Sequence, residues 1–260
     1  MRVNRQDAVR RLFESADAPP VKLLGGYKFN RDEWAIIMGR VEAKDLIGGR
    51  KVLYHGSPYV VEHPKFGVGN PANDYGLGFY CAFDVGLAGE WAVHVTGLDG
   101  FINQYEFEFN GLSILDLDKL DAKIWISLLL ANRRGKFARV VRERISRFVD
   151  KFGMDTSDYD VITGWRANDA YFRYVSDFIQ GLIPYEGLLE AMKLGNLGEL
   201  VCVKSEAAFD RLRFTRVAPA AASAFLDLAI QRDLDAREKY AALSESAFVG
   251  GAYVYELLEV

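Results

Sequence analysis

Three short runs decide the fold: Leu53-Tyr54-His55-Gly56-Ser57, then Asp74-Tyr75-Gly76-Leu77-Gly78-Phe79-Tyr80-Cys81-Ala82, then Ala88-Gly89-Glu90-Trp91-Ala92. Lys51 to His55 alternates and is rich in β-formers, and Gly56-Ser57-Pro58 stops it, which predicts a strand. Gly67, Gly69, Pro71, Gly76 and Gly78 predict a loop over 66–78. Phe79 to Phe83 predicts a short second strand. Asp84 predicts the N-cap of a helix over 86–94, with Leu87, Trp91 and Val95 at helical spacing. A histidine at a strand end followed by glycine sets a polar ring beside backbone that a ligand can approach. Gly76 and Gly78 repeat that opening at the second strand, and Tyr80 adds a flat ring with a hydroxyl. Such a pocket suits an aromatic heterocycle carrying an amide. By strand alternation Phe79 and Cys81 share one face and Tyr80 takes the other, toward core or cleft.

Outward from these runs, Ala8, Leu12 and Phe13 share a helical face, and a second helix is predicted over 31–45 with Asn30 as its cap. After the Leu53–Ala92 block, strands are predicted over 102–109, 113–117, 159–163, 199–204 and 211–217. Helices are predicted over 119–131, 135–151, 168–180 and 185–193, with a short one opening at Ser205. An alanine-rich helix over 218–245 carries Leu226, Ile230 and Leu234 at spacing four. Strands and helices do not alternate in a βαβ rhythm, so the fold class is α+β. The expected organisation is a helical extension over 1–49, a domain over 50–217 and a C-terminal helical extension over 218–260.

The chain has 260 residues, half of them hydrophobic, and a net charge of −4. It is long enough to bury a core without staples, and two cysteines, Cys81 and Cys202, are too few for a disulfide framework. The opening Met1-Arg2-Val3-Asn4-Arg5 lacks the apolar stretch expected of a signal peptide, and the run Ile124 to Ala131 is too short to cross a bilayer. The expectation is a cytoplasmic protein with no membrane partner. P-loop, GxGxxG, HExxH, CxxC and GxSxG patterns are all missing, which argues against P-loop, Rossmann and zinc-hydrolase chemistry. No metal is expected.

The three runs resemble the ADP-ribosyltransferase superfamily, in the His-Tyr-Glu branch that includes diphtheria toxin and the poly(ADP-ribose) polymerases. They are most similar to a little-characterised bacterial group that shares LYHGS, D-(F/Y)-G-x-G-F-Y and A-x-x-W-A. That group also has a later segment like Asp160-Val161-Ile162-Thr163-Gly164, followed by Ala167-Asn168-Asp169. The resemblance covers about residues 51 to 217. It implies a split, mostly antiparallel β core with helices around it, and NAD as substrate. It also implies roles. His55 would hydrogen-bond a ribose of NAD, Gly56 would present backbone to the carboxamide, and Tyr80 would stack on the nicotinamide ring. Ser57, Asp74, Gly76, Gly78 and Phe79 would complete the NAD pocket. The third catalytic element is an acidic residue or Gln opening a late strand, matched here by Glu199. Relatives also carry a Gln one place along, where this chain has Leu200.

The implied reaction is transfer of ADP-ribose to a protein or nucleic-acid acceptor with release of nicotinamide, in a toxin-like or defence setting. A carboxylate near the oxocarbenium-like centre would stabilise it. NAD glycohydrolysis and an inactive NAD- or ADP-ribose-binding module are the alternatives. A 2′-phosphotransferase would need basic residues around His55, and the sequence has none there. Each residue also has a plain structural reading. His55 is a strand-end hydrogen-bonding group, Asp74 and Tyr75 are a turn residue and its packing partner, Asn168 or Asp169 is a helix cap, and Glu199 is a solvated carboxylate. The run from Arg133 to Arg147 holds seven basic residues against Glu143 alone. It reads as a patch for nucleic acid or an acidic partner, or as a solvated helix balanced by acidic segments elsewhere.

Overall fold

A computed structural model describes residues 49–259 except 95, 134, 168, 195–197 and 247–250. The expected N-terminal helices, with Ala8, Leu12, Phe13 and the Asn30 cap, lie outside the described residues, as does Asn168. Among the described residues there are seven strands: β1 (Arg50–Ser57), β2 (Phe79–Ala82), β3 (Gly100–Glu108), β4 (Ile114–Asp116), β5 (Val161–Trp165), β6 (Glu199–Val203) and β7 (Leu212–Ala220). They form one sheet in the order β4-β5-β6-β2-β1-β3-β7. Every pairing is antiparallel except β4 with β5. Among the described residues there are eight helices: α1 (Val85–His94), α2 (Ala122–Asn132), α3 (Arg139–Phe152), α4 (Asp169–Gln180), α5 (Tyr185–Met192), α6 (Glu206–Phe209), α7 (Ala222–Ser246) and α8 (Val254–Glu259). The fold is α+β with a mixed, mostly antiparallel sheet.

Alternation assigns the two faces of the sheet. One face buries Leu53, Cys81, Phe107, Val161, Val201 and Val203 as a cluster. The other buries Ile162, Leu200 and Cys202 against Trp125 of α2 and Tyr171, Val175 and Phe178 of α4. Over β1 and β3 this second face is covered by Ala88, Ala92 and Val93 of α1, with Phe225 of α7 behind them. Gly56 sits under α1 so closely that a Cβ there would run into the Ala88 carbonyl.

Several expected boundaries move for local reasons. Asp84 caps α1 as expected, through Leu87 N at 2.6 Å. The helix expected over 119–131 begins at Ala122, because Asp121 caps it through Lys123 N at 2.9 Å and Leu117–Lys119 form a 3-10 turn. The strand expected over 159–163 becomes Val161–Trp165. Asp160 is instead held at the strand entrance by Ser113 N, at 2.8 Å, and by Ser205 Oγ. The helix expected over 135–151 starts only at Arg139, and α8 has no counterpart in the sequence reading. The tail helix starts at Ala222 rather than 218, because β7 runs through Pro219 to pair with Phe101 and Gly100.

Of the line Leu226, Ile230 and Leu234, only Leu226 packs against the core. Ile230 and Leu234 are 48% and 53% exposed. Phe225, Arg232, Ala236 and Tyr240 face inward instead. Phe225 fills the space that a Cβ at Gly89 would take. Arg232 pairs with the buried Glu90 of α1. The Ala236 carbonyl accepts from Tyr174 Oη at 2.7 Å, and the Tyr240 ring stacks on Tyr174 at 4.0 Å. No helix among the described residues is long and apolar enough to cross a membrane. Because α7 shares the core of the sheet, Phe225→Ala is expected to lower stability by about 3 kcal/mol in urea unfolding. The loss should appear in one cooperative transition; a separate early transition would mean that α7 is an independent appendage.

Candidate functional site

β1 pairs with β3 along its whole length, from Arg50–Glu108 to Ser57–Phe101. With β2 it shares a single register pair, Tyr54–Ala82. Over His55–Ser57 and Phe79–Cys81 the two strands run alongside without a ladder between them. Backbone groups at such a break need another partner. The His55 ring supplies one: Nδ1 lies 2.7 Å from the Tyr80 carbonyl. A carbonyl only accepts, so Nδ1 carries the proton and the neutral ring keeps a lone pair on Nε2. Burial lowers the His55 pKa from its ordinary 6.5, with the Tyr80 carbonyl opposing that shift. The ring is therefore neutral at pH 7 and packs on Phe79, centroid to centroid 4.3 Å. This break in the ladder, bordered by the His55 ring and the Phe79 ring, is the notch.

The sheet divides the expected residues between its faces. His55 lies on the Leu53 face with Phe79, and Phe79 also meets Tyr105 and Phe209. Glu199 opens β6 opposite Trp165 and alternates with Val201 and Val203, so its position belongs to this same face. Tyr80 and Gly56 belong to the other face. Tyr80 packs against the cluster that contains Leu200 and Cys202, so Leu200 rather than Glu199 shares its face. The Tyr80 hydroxyl donates to the Gly76 carbonyl at 2.6 Å and accepts from Tyr75 N at 3.0 Å. Burial pushes its pKa far above the ordinary phenol range, so it remains a donor. His55, Tyr80 and Glu199 thus sit on three neighbouring strands, β1, β2 and β6, but not on one face.

The glycine loop is bolted from behind. Gly76 has φ +82°, a conformation that only glycine adopts freely. Gly78 lets the chain press onto Cys202 and Val203 of β6. Asp74 is buried, accepts from Ala167 N at 2.9 Å, and lies 3.6 Å from Arg133. Arg133 also donates to the Ala167 carbonyl at 2.6 Å. Tyr75 Oη donates to the Trp165 carbonyl, and Trp125 Nε1 donates to that same carbonyl at 3.1 Å. Asp74 is therefore a tie between the loop and the exit of β5. Ser57 is buried, and its Oγ accepts from Tyr59 N at 3.1 Å.

Two residues of this region escaped the sequence reading. Asn103, opposite His55 on β3 and fully buried, accepts from Val61 N at 2.8 Å and donates to the Tyr59 and His55 carbonyls. Tyr105 donates to the Val61 carbonyl. Together they hold the segment after β1 against the sheet. The available signal was the amide itself: Asn103 occupies a core position in an otherwise alternating strand.

The basic run is largely spent on carbonyls. Arg144 donates to Ile179 O at 2.8 Å and Arg147 to Leu258 O at 3.4 Å, each near the C-terminal end of another helix, where cations are favourable. Arg142 donates to Phe137 O at 3.0 Å, and Arg139 pairs with Glu143. Among the described residues no group of three or more His, Cys, Asp or Glu side chains could hold a metal ion.

Two outcomes are expected from this geometry. The unfolded chain takes up the His55 proton near pH 6.5 and the folded chain only below that, so folding stability falls as pH drops through 6.5. Urea midpoints at pH 7.5 and pH 5 should therefore fall further in the native chain than in His55→Gln. Asp74→Ala should cost about 3 kcal/mol, because it strips the half-buried Arg133 and the buried Ala167 N–H of an acceptor; an unchanged melting temperature would contradict the tie.

No curated protein and no solved structure matches the chain. Residues 51–214, from the second residue of β1 to the third of β7, match the family described as a protein of unknown function, DUF3990. That stretch carries every residue of the notch and more than half the chain, so the protein belongs to the DUF3990 family.

Proposed function

We propose that the chain is an NAD-dependent ADP-ribosyltransferase that cleaves the nicotinamide–ribose bond and passes ADP-ribose to a protein or nucleic-acid acceptor. The observation that carries this reading is the break in the β1–β2 ladder, spanned by His55 Nδ1 and the Tyr80 carbonyl. It supports a site where Nε2 accepts from a ribose hydroxyl and the neighbouring strand-edge backbone receives the carboxamide. The resemblance of the three sequence runs to the superfamily, with its split β core, supports the same assignment. The seven-stranded sheet, joined between β1 and β2 by one register pair, is compatible with that core.

In this reaction the C1′–N1 bond of the nicotinamide riboside breaks and its electron pair goes to nicotinamide, which leaves neutral. The ribose C1′ becomes oxocarbenium-like. A nucleophile on the acceptor then bonds to C1′ and gives up its proton to solvent. Glu199 shares the His55 face and opens the strand two across, so its carboxylate is the group assigned to stabilise the developing charge. The same machinery with water as nucleophile is an NAD glycohydrolase.

The placement of Leu200 favours a second reading, an NAD- or ADP-ribose-binding module without turnover. Leu200 shares the Tyr80 face, and a hydrocarbon there supplies no charge stabilisation.

The test is nicotinamide release from NAD by the full chain, alone and with cell lysate as acceptor, beside NAD binding by calorimetry. Transferase activity predicts release that falls by at least about 100-fold in Glu199→Ala, with NAD affinity changed only modestly. His55→Ala should weaken NAD binding itself. Binding without release under either condition, unmoved by Glu199→Ala, would establish the binding module. No binding and no release would overturn both readings.

A further inference from the structure

A cavity lies away from the notch, between α4 and α7. Its volume is about 510 Å³, and its walls are Arg173, Tyr174, Asp177, Ile183, Arg237 and Tyr240, with Leu182 and Ala241 at its rim. That volume is in the range of small-molecule sites, roughly 300–1,000 Å³. The residues fall into a charged side and an aromatic side. Arg173, on α4, makes an ion pair with Asp177 at 3.6 Å, too long for a hydrogen bond, so its guanidinium keeps donors for a ligand. Arg237, across the cleft on α7, is braced by Asp233 through Nε at 2.6 Å. Asp177 is buried and accepts from Tyr240 Oη at 3.0 Å. Its carboxylate is therefore already engaged by a phenol, and each of the two guanidiniums in the lining has an aspartate on its own helix, Asp177 for Arg173 and Asp233 for Arg237. The aromatic side is the Tyr174–Tyr240 stack, with ring planes 24° apart, beside the apolar Ile183.

We propose that this cleft is a second ligand site, for a small molecule that carries a phosphomonoester next to a flat apolar group. Two guanidiniums on opposite walls suit a phosphate dianion, whose oxygens accept from both at once. The Tyr240 and Ile183 side takes the flat group. No residue of the β1–β2 notch takes part, so the site stands whether or not the notch binds NAD.

The experiment is calorimetry on the full chain with three probes: AMP, inorganic phosphate and adenosine. The expected order is AMP tightest, phosphate weaker and adenosine weakest. Arg173→Gln and Arg237→Gln should each weaken AMP binding about tenfold. Both side chains are largely at the surface, 66% and 42% exposed, so the unfolding midpoints of these variants should match the native chain. His55→Ala should keep the AMP affinity, which separates this cleft from the notch. Absence of AMP binding at millimolar concentration would overturn the proposal. So would adenosine binding as tightly as AMP, AMP binding unmoved by both arginine variants, or AMP binding lost in His55→Ala.

Discussion

A single hydrogen bond, from His55 Nδ1 to the Tyr80 carbonyl, holds together two strands that have stopped pairing. Antiparallel strands normally satisfy their facing backbone groups in a continuous ladder. Here the ladder between β1 and β2 ends at Tyr54–Ala82, although β1 stays fully paired with β3 on its other side. A side chain therefore does what backbone does elsewhere. It fixes the imidazole tautomer and directs the remaining ring nitrogen away from the protein's own carbonyl. A neutral ring is required for that arrangement, and burial keeps it neutral. The candidate chemistry of the chain depends on this one break.

The surrounding structure keeps the break from closing or collapsing. On the β1 side, Asn103 and Tyr105 hold residues 59–61 to the sheet. On the β2 side, the glycine loop is tied down by Asp74 to Ala167 and Arg133, and by Tyr75 to the exit of β5. Behind it, α1 presses on Gly56, and α7 presses on α1 through Phe225 and the Arg232–Glu90 pair. Helix α7 is thus mechanically continuous with the notch, at two removes, rather than an ornament on a finished domain.

Much of this was legible in sequence because local chemistry decides it. The cap at Asp84, the alternation of β3 and the α+β class follow from residue types and spacing. What stayed hidden is what only tertiary contact decides. The docking face of α7 is chosen by Gly89 and Glu90 on another helix, and Ile230 and Leu234 lie outside it. The arginines of α3 read as a patch for a partner or as a solvated helix, and only the fold brings the carbonyls of Ile179 and Leu258 beside them. Asp74 reads as a ligand contact or a turn residue, and only the fold brings the Ala167 amide to it. The sequence also lists His55, Tyr80 and Glu199 together, whereas sheet alternation sets Tyr80 and Leu200 on one face and His55 and Glu199 on the other.

That division makes the location of the ligand the central question, ahead of the reaction it undergoes. The most direct measurement is a titration of the ¹⁵N-labelled chain with NAD, followed by backbone amide shifts. The account predicts saturable changes concentrated at His55 to Ser57 and at Gly76 to Ala82, together with a shift at the His55 Nε2 resonance. Amide shifts confined to other elements, or none at saturating NAD, would contradict it.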